Sequence, residues 1–249
     1  MKWILAAGLL VAVGAIAYAW QRGVGDSGTE ALAVGPRRHL VVRAGEGRPL
    51  LVLLHGRGMT PAEMAMPELL DALEELGPRA PTVLLADGGE HSYYHDRADF
   101  DWGTDLLELV EDAPERFGSD PDRVAIGGFS MGGFGALDLA RQRRFCAVGG
   151  HAPALWREGG ETPAGAFDDA EDFERHDLFE LAERDPRLFR GARVWLDVGD
   201  RDPFRETTTA FGRLVGARVR VWPGEHGTRY LREHVEEYVR FYASALEAC

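Results

Sequence analysis

Ser130 lies in the run Gly128-Phe129-Ser130-Met131-Gly132, between a short apolar segment (124–128) and a stretch with helical spacing (131–144). Glycine two residues before and two after a serine, where a strand gives way to a helix, is the pattern of a nucleophile elbow. So sharp a turn brings strand and helix almost into contact, so these neighbours must lack bulk. It also thrusts the hydroxyl above the carboxyl end of the strand. A serine hydroxyl alone is a weak nucleophile; it needs a base to take its proton and an acid to hold that base. The chemistry expected is attack on an acyl carbon.

On such a scaffold the partners follow in the order serine, acid, histidine. The apolar run 194–198 leads into Gly199-Asp200-Arg201-Asp202-Pro203. Asp202, just ahead of the next helical stretch, is the expected acid, and Asp200 then reads as a turn or cap residue. His226, in Pro223-Gly224-Glu225-His226-Gly227, follows the last apolar run and precedes the terminal helix, which makes it the expected base. His234 falls on the apolar stripe of that helix and reads as a packed or surface residue, while His151 is the alternative base. The backbone amides of Arg57, after His55-Gly56, and of Met131 are the expected oxyanion donors.

These residues need a frame that gathers loop ends. Short apolar runs occur at 40–43, 50–54, 82–86, 124–128, 145–149, 194–198 and 219–222, apolar throughout rather than alternating, as in strands covered on both faces. Helical spacing appears at 61–76, 102–117, 131–144, 203–215 and 228–246, the first opened by Thr60 and stopped by Gly77-Pro78. The alternation predicts an α/β fold: a mainly parallel sheet with helices on both faces, spanning 37–249. Segment 151–190 breaks the rhythm as an acidic insertion after the run 145–149, with eleven acids against five arginines. It reads either as a cap over the site or as a solvated excursion.

The 249 residues carry 41 acids and 28 bases, a net charge of −13, which argues against a nucleic-acid partner. Two cysteines give neither a disulfide framework nor a thiolate metal site; a Cys146–Cys249 bridge and two free thiols are both open. Residues 3–20 are apolar and uncharged, close to the length of a membrane span and longer than most signal cores. Segment 1–22 is thus a signal, cleavable after Ala15-Ile16-Ala17 or Ala17-Tyr18-Ala19, or a retained membrane anchor. Either exports the remaining chain, so the catalytic part is expected at the outer face of the membrane or secreted. Glycine-rich residues 23–36 read as a flexible tether.

From about Leu50 onward the chain resembles the α/β-hydrolase superfamily, in particular the putative-esterase family. That family groups esterase D-type S-formylglutathione hydrolases, feruloyl and acetyl xylan esterases, and the antigen 85 mycolyltransferases. The resemblance rests on Leu53-Leu54-His55-Gly56, Ser92-Tyr93-Tyr94, Asp120-Pro121-Asp122-Arg123, the Ser130 elbow and Gly224-Glu225-His226. It implies a serine carboxylic-ester hydrolase with Ser130 as nucleophile, Asp202 as acid, His226 as base, and Arg57 and Met131 as oxyanion residues. No metal or organic cofactor is implied, and the substrate is a small-molecule or cell-envelope ester. Two other readings use the same residues: acyl transfer to a sugar or other alcohol, and a non-catalytic cell-surface binding domain.

Overall fold

Strands without polar alternation must be covered on both faces, and the chain stacks them into one sheet. The computed structural model describes residues 29–34, 37–43 and 45–249. The expected signal or anchor (1–22) lies outside them, and no helix among the described residues is long and apolar enough to cross a membrane. The strands are β1 (Thr29–Val34), β2 (Arg37–Val42), β3 (Leu50–Leu54), β4 (Thr82–Ala86), β5 (Val124–Phe129), β6 (Ala147–His151), β7 (Arg193–Gly199) and β8 (Val219–Trp222). The helices are α1 (Pro61–Met64), α2 (Pro67–Leu76), α3 (Trp102–Phe117), α4 (Met131–Ala140), α5 (Ala170–Arg175), α6 (Leu178–Arg184), α7 (Arg205–Leu214) and α8 (Thr228–Glu247).

Among the described residues the sheet runs β1-β2-β4-β3-β5-β6-β7-β8. β2 is antiparallel to both its neighbours, and every pairing from β4 to β8 is parallel. Every residue of β3, β4, β5 and β6 is buried. The architecture is the α/β-hydrolase fold. α8 lays Tyr230, Leu231, Val235, Tyr238, Val239 and Tyr242 into one core cluster with Leu51, Leu53 and Val83 from the sheet. The stripe expected from its spacing is thus its buried face.

Three expectations change. Thr29–Val34, assigned by composition to the tether, is instead a strand in register with β2, from Thr29 opposite Val42 to Val34 opposite Arg37. The glycines at 23, 25 and 28 masked a run, Ala31 to Val34, that can add to the sheet edge. The helix expected over 61–76 is two helices, because Pro67 opens α2 at a position where its missing N–H costs nothing and Met66 before it is extended. β6 begins and ends two residues later than its apolar run: Gly149 and Gly150 lie within the ladder, opposite Trp195 and Leu196.

Cys146 and Cys249 form a disulfide. It ties the chain end beyond α8 to the residue just before β6, across a sequence separation of 103. Closing so long a loop restricts the unfolded chain and contributes about 2–5 kcal/mol. Reduction with dithiothreitol is expected to lower the melting temperature by roughly 5–15 °C for a domain of this size. Coincident melts with and without reductant would contradict a stabilising bridge.

Candidate active site

Parallel strands of this kind deliver their following loops to one crevice at their carboxyl ends. Ser130 follows β5, Asp202 follows β7, His226 follows β8, and Arg57 follows β3. The elbow has the shape its glycines require. Ser130 has φ 55° and ψ −113°, a conformation uncommon for a residue with a side chain. Its N–H donates to the His151 carbonyl at 3.0 Å, and its own carbonyl accepts from Phe134 and Ala154 at 3.0 and 3.1 Å. A methyl group on Gly132 would stand 2.1 Å from the Leu54 carbonyl oxygen, and one on Gly128 would stand 2.3 Å from the Gly132 carbonyl oxygen. Neither position has room for a side chain.

The structure brings Ser130, His226 and Asp202 into one line. His226 Nε2 is 2.7 Å from Ser130 Oγ, and His226 Nδ1 is 2.7 Å from Asp202 Oδ2. A carboxylate can only accept, so Nδ1–H donates to Asp202 and the Nε2 lone pair faces the serine hydroxyl. Asp202 is 5% exposed, and its other oxygen accepts from the Phe204 amide at 2.8 Å. The imidazole is stacked on Phe129, with centroids 5.2 Å apart, and meets the edge of Phe204 at 5.3 Å. These aromatic contacts add to the restraint that its hydrogen bonds place on the ring.

Asp200 has a different task. Its Oδ1 accepts from the Gly224 amide at 2.9 Å, while Asp200 N–H donates to the Trp222 carbonyl at 2.7 Å. It holds the loop that bears His226 against the loop that bears Asp202. His234 stacks on Trp222 at 4.1 Å between centroids, away from the serine. His151, the alternative base, belongs to the core: Nδ1 pairs with Asp197 at 2.7 Å and Nε2 with the Tyr242 hydroxyl at 2.8 Å. Asp197, wholly buried, also accepts from Trp195 Nε1 and from the Tyr230 and Tyr238 hydroxyls at 2.7–2.9 Å. Burial, reinforced by the Asp197 charge, pushes both phenols well above their ordinary range and keeps them donors. This network fastens α8 to β6 and β7, and with it the loop carrying His226.

Of the expected oxyanion residues, Met131 is the first residue of α4, where backbone N–H groups have no partner within the helix. Arg57 lies just past β3, and the Gly58 amide after it donates to the Glu90 carbonyl at 2.9 Å. The preceding His55 is fixed from three sides. Its amide donates to the Tyr94 hydroxyl at 2.9 Å, its Nε2 accepts from Gly88 at 3.1 Å, and its ring meets the Tyr94 edge.

Ser130 and His226 open on a cavity of about 510 Å³. Its apolar wall is Met59, Tyr93, Phe129, Trp156 and Phe204, with Arg57 and Glu161 as the charged members. Trp156, Glu161 and Pro163 come from the acidic insertion, so the start of that segment is part of the cavity wall. Many of its acids are engaged rather than merely solvated. Asp169 and Asp177 cap α5 and α6, and Asp168 pairs with Arg97 at 2.7 Å. Sequence reading missed the wall residues Tyr93, Trp156 and Phe204 because aromatic residues at such positions read equally well as core. The one signal at hand was Tyr93 within Ser92-Tyr93-Tyr94, part of the resemblance, which gave it no place in the site.

A family model described as "Putative esterase" matches residues 30–245. The chain belongs to this esterase family. Family membership makes it a carboxylic-ester hydrolase. Solved structures agree on its fold. A ferulic acid esterase superposes with a TM-score of 0.73 at 20% identity, covering 87% of this chain and 97% of that one. An S-formylglutathione hydrolase from Agrobacterium tumefaciens gives 0.68 at 18% identity, covering 88% and 94%. MPT51 (FbpC1) of Mycobacterium tuberculosis gives 0.67 at 19% identity, covering 88% and 98%. Comparison of the esterase with curated proteins gives no match. At these identities the likeness establishes the fold and nothing finer.

Proposed function

We propose that the esterase cleaves its substrate through an acyl-enzyme on Ser130. The observation that carries this reading is the continuous chain from Asp202 through His226 to Ser130, two contacts of 2.7 Å each, at the wall of an apolar cavity. His226 Nε2 takes the hydroxyl proton as Ser130 Oγ bonds to the ester carbonyl carbon. Asp202 fixes the tautomer and orientation of the ring and stabilises the imidazolium that forms. The amides of Arg57 and Met131 receive the tetrahedral oxyanion, a role in which one donor typically contributes ~10²–10³ in rate. Collapse breaks the carbon–oxygen bond to the alcohol, which leaves with the proton from His226. Water then enters and gives a proton to His226 as its oxygen bonds to the acyl carbon; the second tetrahedral intermediate collapses, Ser130 Oγ leaves with that proton returned from His226, and the acid is released.

The Cys146–Cys249 bridge favours an oxidising compartment, in keeping with export of the catalytic domain. Hydrolysis is proposed over acyl transfer because the family model that matches the chain is one of esterases, in which water is the acyl acceptor. The test is stopped-flow hydrolysis of p-nitrophenyl acetate, repeated with added methanol. The expected result is a burst of p-nitrophenol equal to the enzyme concentration, then steady turnover with acetate as the main product. A complete lack of turnover would overturn the reading. A product that is mainly methyl acetate at low methanol would replace hydrolysis by acyl transfer.

A further inference from the structure

Where the acidic insertion packs on the core, three side chains of metal-ligand type from two separate segments of the chain converge. His95 lies in the segment after β4, Asp172 lies within α5, and His176 follows that helix. One ligand atom from each lies within 4.8 Å of the other two. His95 Nε2 is 3.1 Å from Asp172 Oδ2, and His176 Nε2 is 3.8 Å from Asp172 Oδ1. Nitrogen and oxygen donors around a tetrahedral ion with bonds near 2.0–2.2 Å stand roughly 3.3–3.6 Å apart. The two distances run to different oxygens of Asp172, and the three ligand atoms together lie within 4.8 Å, so ligation draws the side chains inward by about an ångström. We propose that His95, Asp172 and His176 bind a divalent transition-metal ion of the zinc class, which fastens the insertion to the core.

The surroundings of His176 favour this strongly. Its Nδ1 lies 2.9 Å from Asp138 Oδ2, and Asp138, fully buried on α4, is itself held by Arg141 Nε at 2.7 Å. An Nδ1–H donated to a buried carboxylate leaves the lone pair on Nε2, the nitrogen that faces Asp172. A carboxylate behind a histidine in this way is the usual outer shell of a metal-bound imidazole, setting its tautomer and its basicity.

His95 is buried, and its Nδ1 has no hydrogen-bond partner. As a ligand the ring must be neutral, with one nitrogen lone pair free for the metal. Without metal, Nε2–H donates to Asp172; coordination through Nε2 moves that proton to Nδ1. Asp172 also receives Arg175 Nη2 at 3.1 Å, but Arg175 is 55% exposed and has solvent to move into. The adjacent cleft, about 530 Å³, is lined by Asp96, Asp168 and Asp169 as well as arginines, and is open to solvent for a fourth ligand. Two imidazoles and one carboxylate suit zinc, cobalt or nickel rather than calcium or magnesium, which take oxygen donors.

Such an ion joins three parts of the site's frame. The His95 segment carries Tyr93 of the catalytic cavity, α5 belongs to the insertion that supplies Trp156, and α4 begins beside Ser130.

The test uses the untagged full chain, stripped with EDTA and dialysed, then titrated with Zn(II) by calorimetry and with Co(II) by visible absorbance. The expected result is one equivalent bound at micromolar or tighter affinity, with the bands of four-coordinate Co(II) and a higher melting temperature. His95→Gln and His176→Gln are each expected to weaken binding at least 100-fold, and Asp138→Asn about 10–100-fold. His226→Gln, which disables the triad as a binding site, is expected to leave it intact. Failure of the wild-type chain to bind one equivalent would overturn the proposal, whatever the variants' folding. So would binding that survives both substitutions at 95 and 176, or binding lost only with His226.

Discussion

Ser130→Ala is expected to lower ester turnover by ~10⁵–10⁶ without lowering the melting temperature by more than about 2 °C. The two halves of this result have separate causes. Oγ is the only atom removed, and its hydrogen bond is to His226 Nε2, so the substitution takes away the bond-forming atom and breaks no contact of the core. The backbone strain is the same for both residues, since Ala and Ser each carry a Cβ at φ 55°. The amides expected to hold the oxyanion remain, which leaves a residual rate above that of water alone. Turnover of p-nitrophenyl acetate alongside a thermal melt checks both halves. Activity within tenfold of the wild type would reject Ser130 as nucleophile, and a large fall in melting temperature would make the turnover loss uninterpretable as chemistry.

Asp202→Asn is expected to cost ~10⁴ in turnover, the size found when the orienting carboxylate of such a triad becomes an amide. The asparagine amide nitrogen donates where the carboxylate accepted. To satisfy it, the imidazole must present Nδ1 as an acceptor, which places the proton on Nε2 and leaves nothing to receive the one from Ser130. The remaining oxygen still accepts from the Phe204 amide, a bond of 2.8 Å in the wild type, so the loop keeps its shape and the loss is one of tautomer. Asp200→Asn is the control. Its Oδ1 accepts from the Gly224 amide, a bond that an asparagine oxygen makes equally well, so the expected loss is under about tenfold. Turnover of the two variants decides the assignment. If Asp200→Asn is the more damaging, Asp202 is not the residue that orients His226.

The parts of this molecule legible in the sequence are those specified by neighbours along the chain. β3, β4 and β8 fall where their apolar runs lie, and α3 ends at Gly118, whose left-handed conformation closes a helix at low cost. The residues around Ser130, Asp202 and His226 were legible for the same reason, because each sits at a strand end marked by glycines. What was not legible depends on approach between distant segments. Cys146 and Cys249 could equally have been free thiols until the end of α8 was seen to return to the start of β6. His151 looked like a spare base because nothing near it in sequence reveals that Asp197 and Tyr242 enclose it. His95 and His176 had no local pattern at all; only the packing of the insertion on the core brings them together, with rings 4.4 Å apart. The edge strand β1 was missed because three nearby glycines outweighed a short apolar run in the composition of its segment.

The most direct test of the central claim is covalent capture of the nucleophile. A fluorophosphonate probe reacts with a serine only when a neighbouring base has activated it and the site can hold the tetrahedral phosphorus. The full-length protein is incubated with the probe, weighed intact, then digested so that the modified peptide can be sequenced. The account predicts one adduct per chain, carried on Ser130, formed rapidly by the wild type and absent from Ser130→Ala. An unlabelled wild-type protein, or an adduct on any residue other than Ser130, would contradict it.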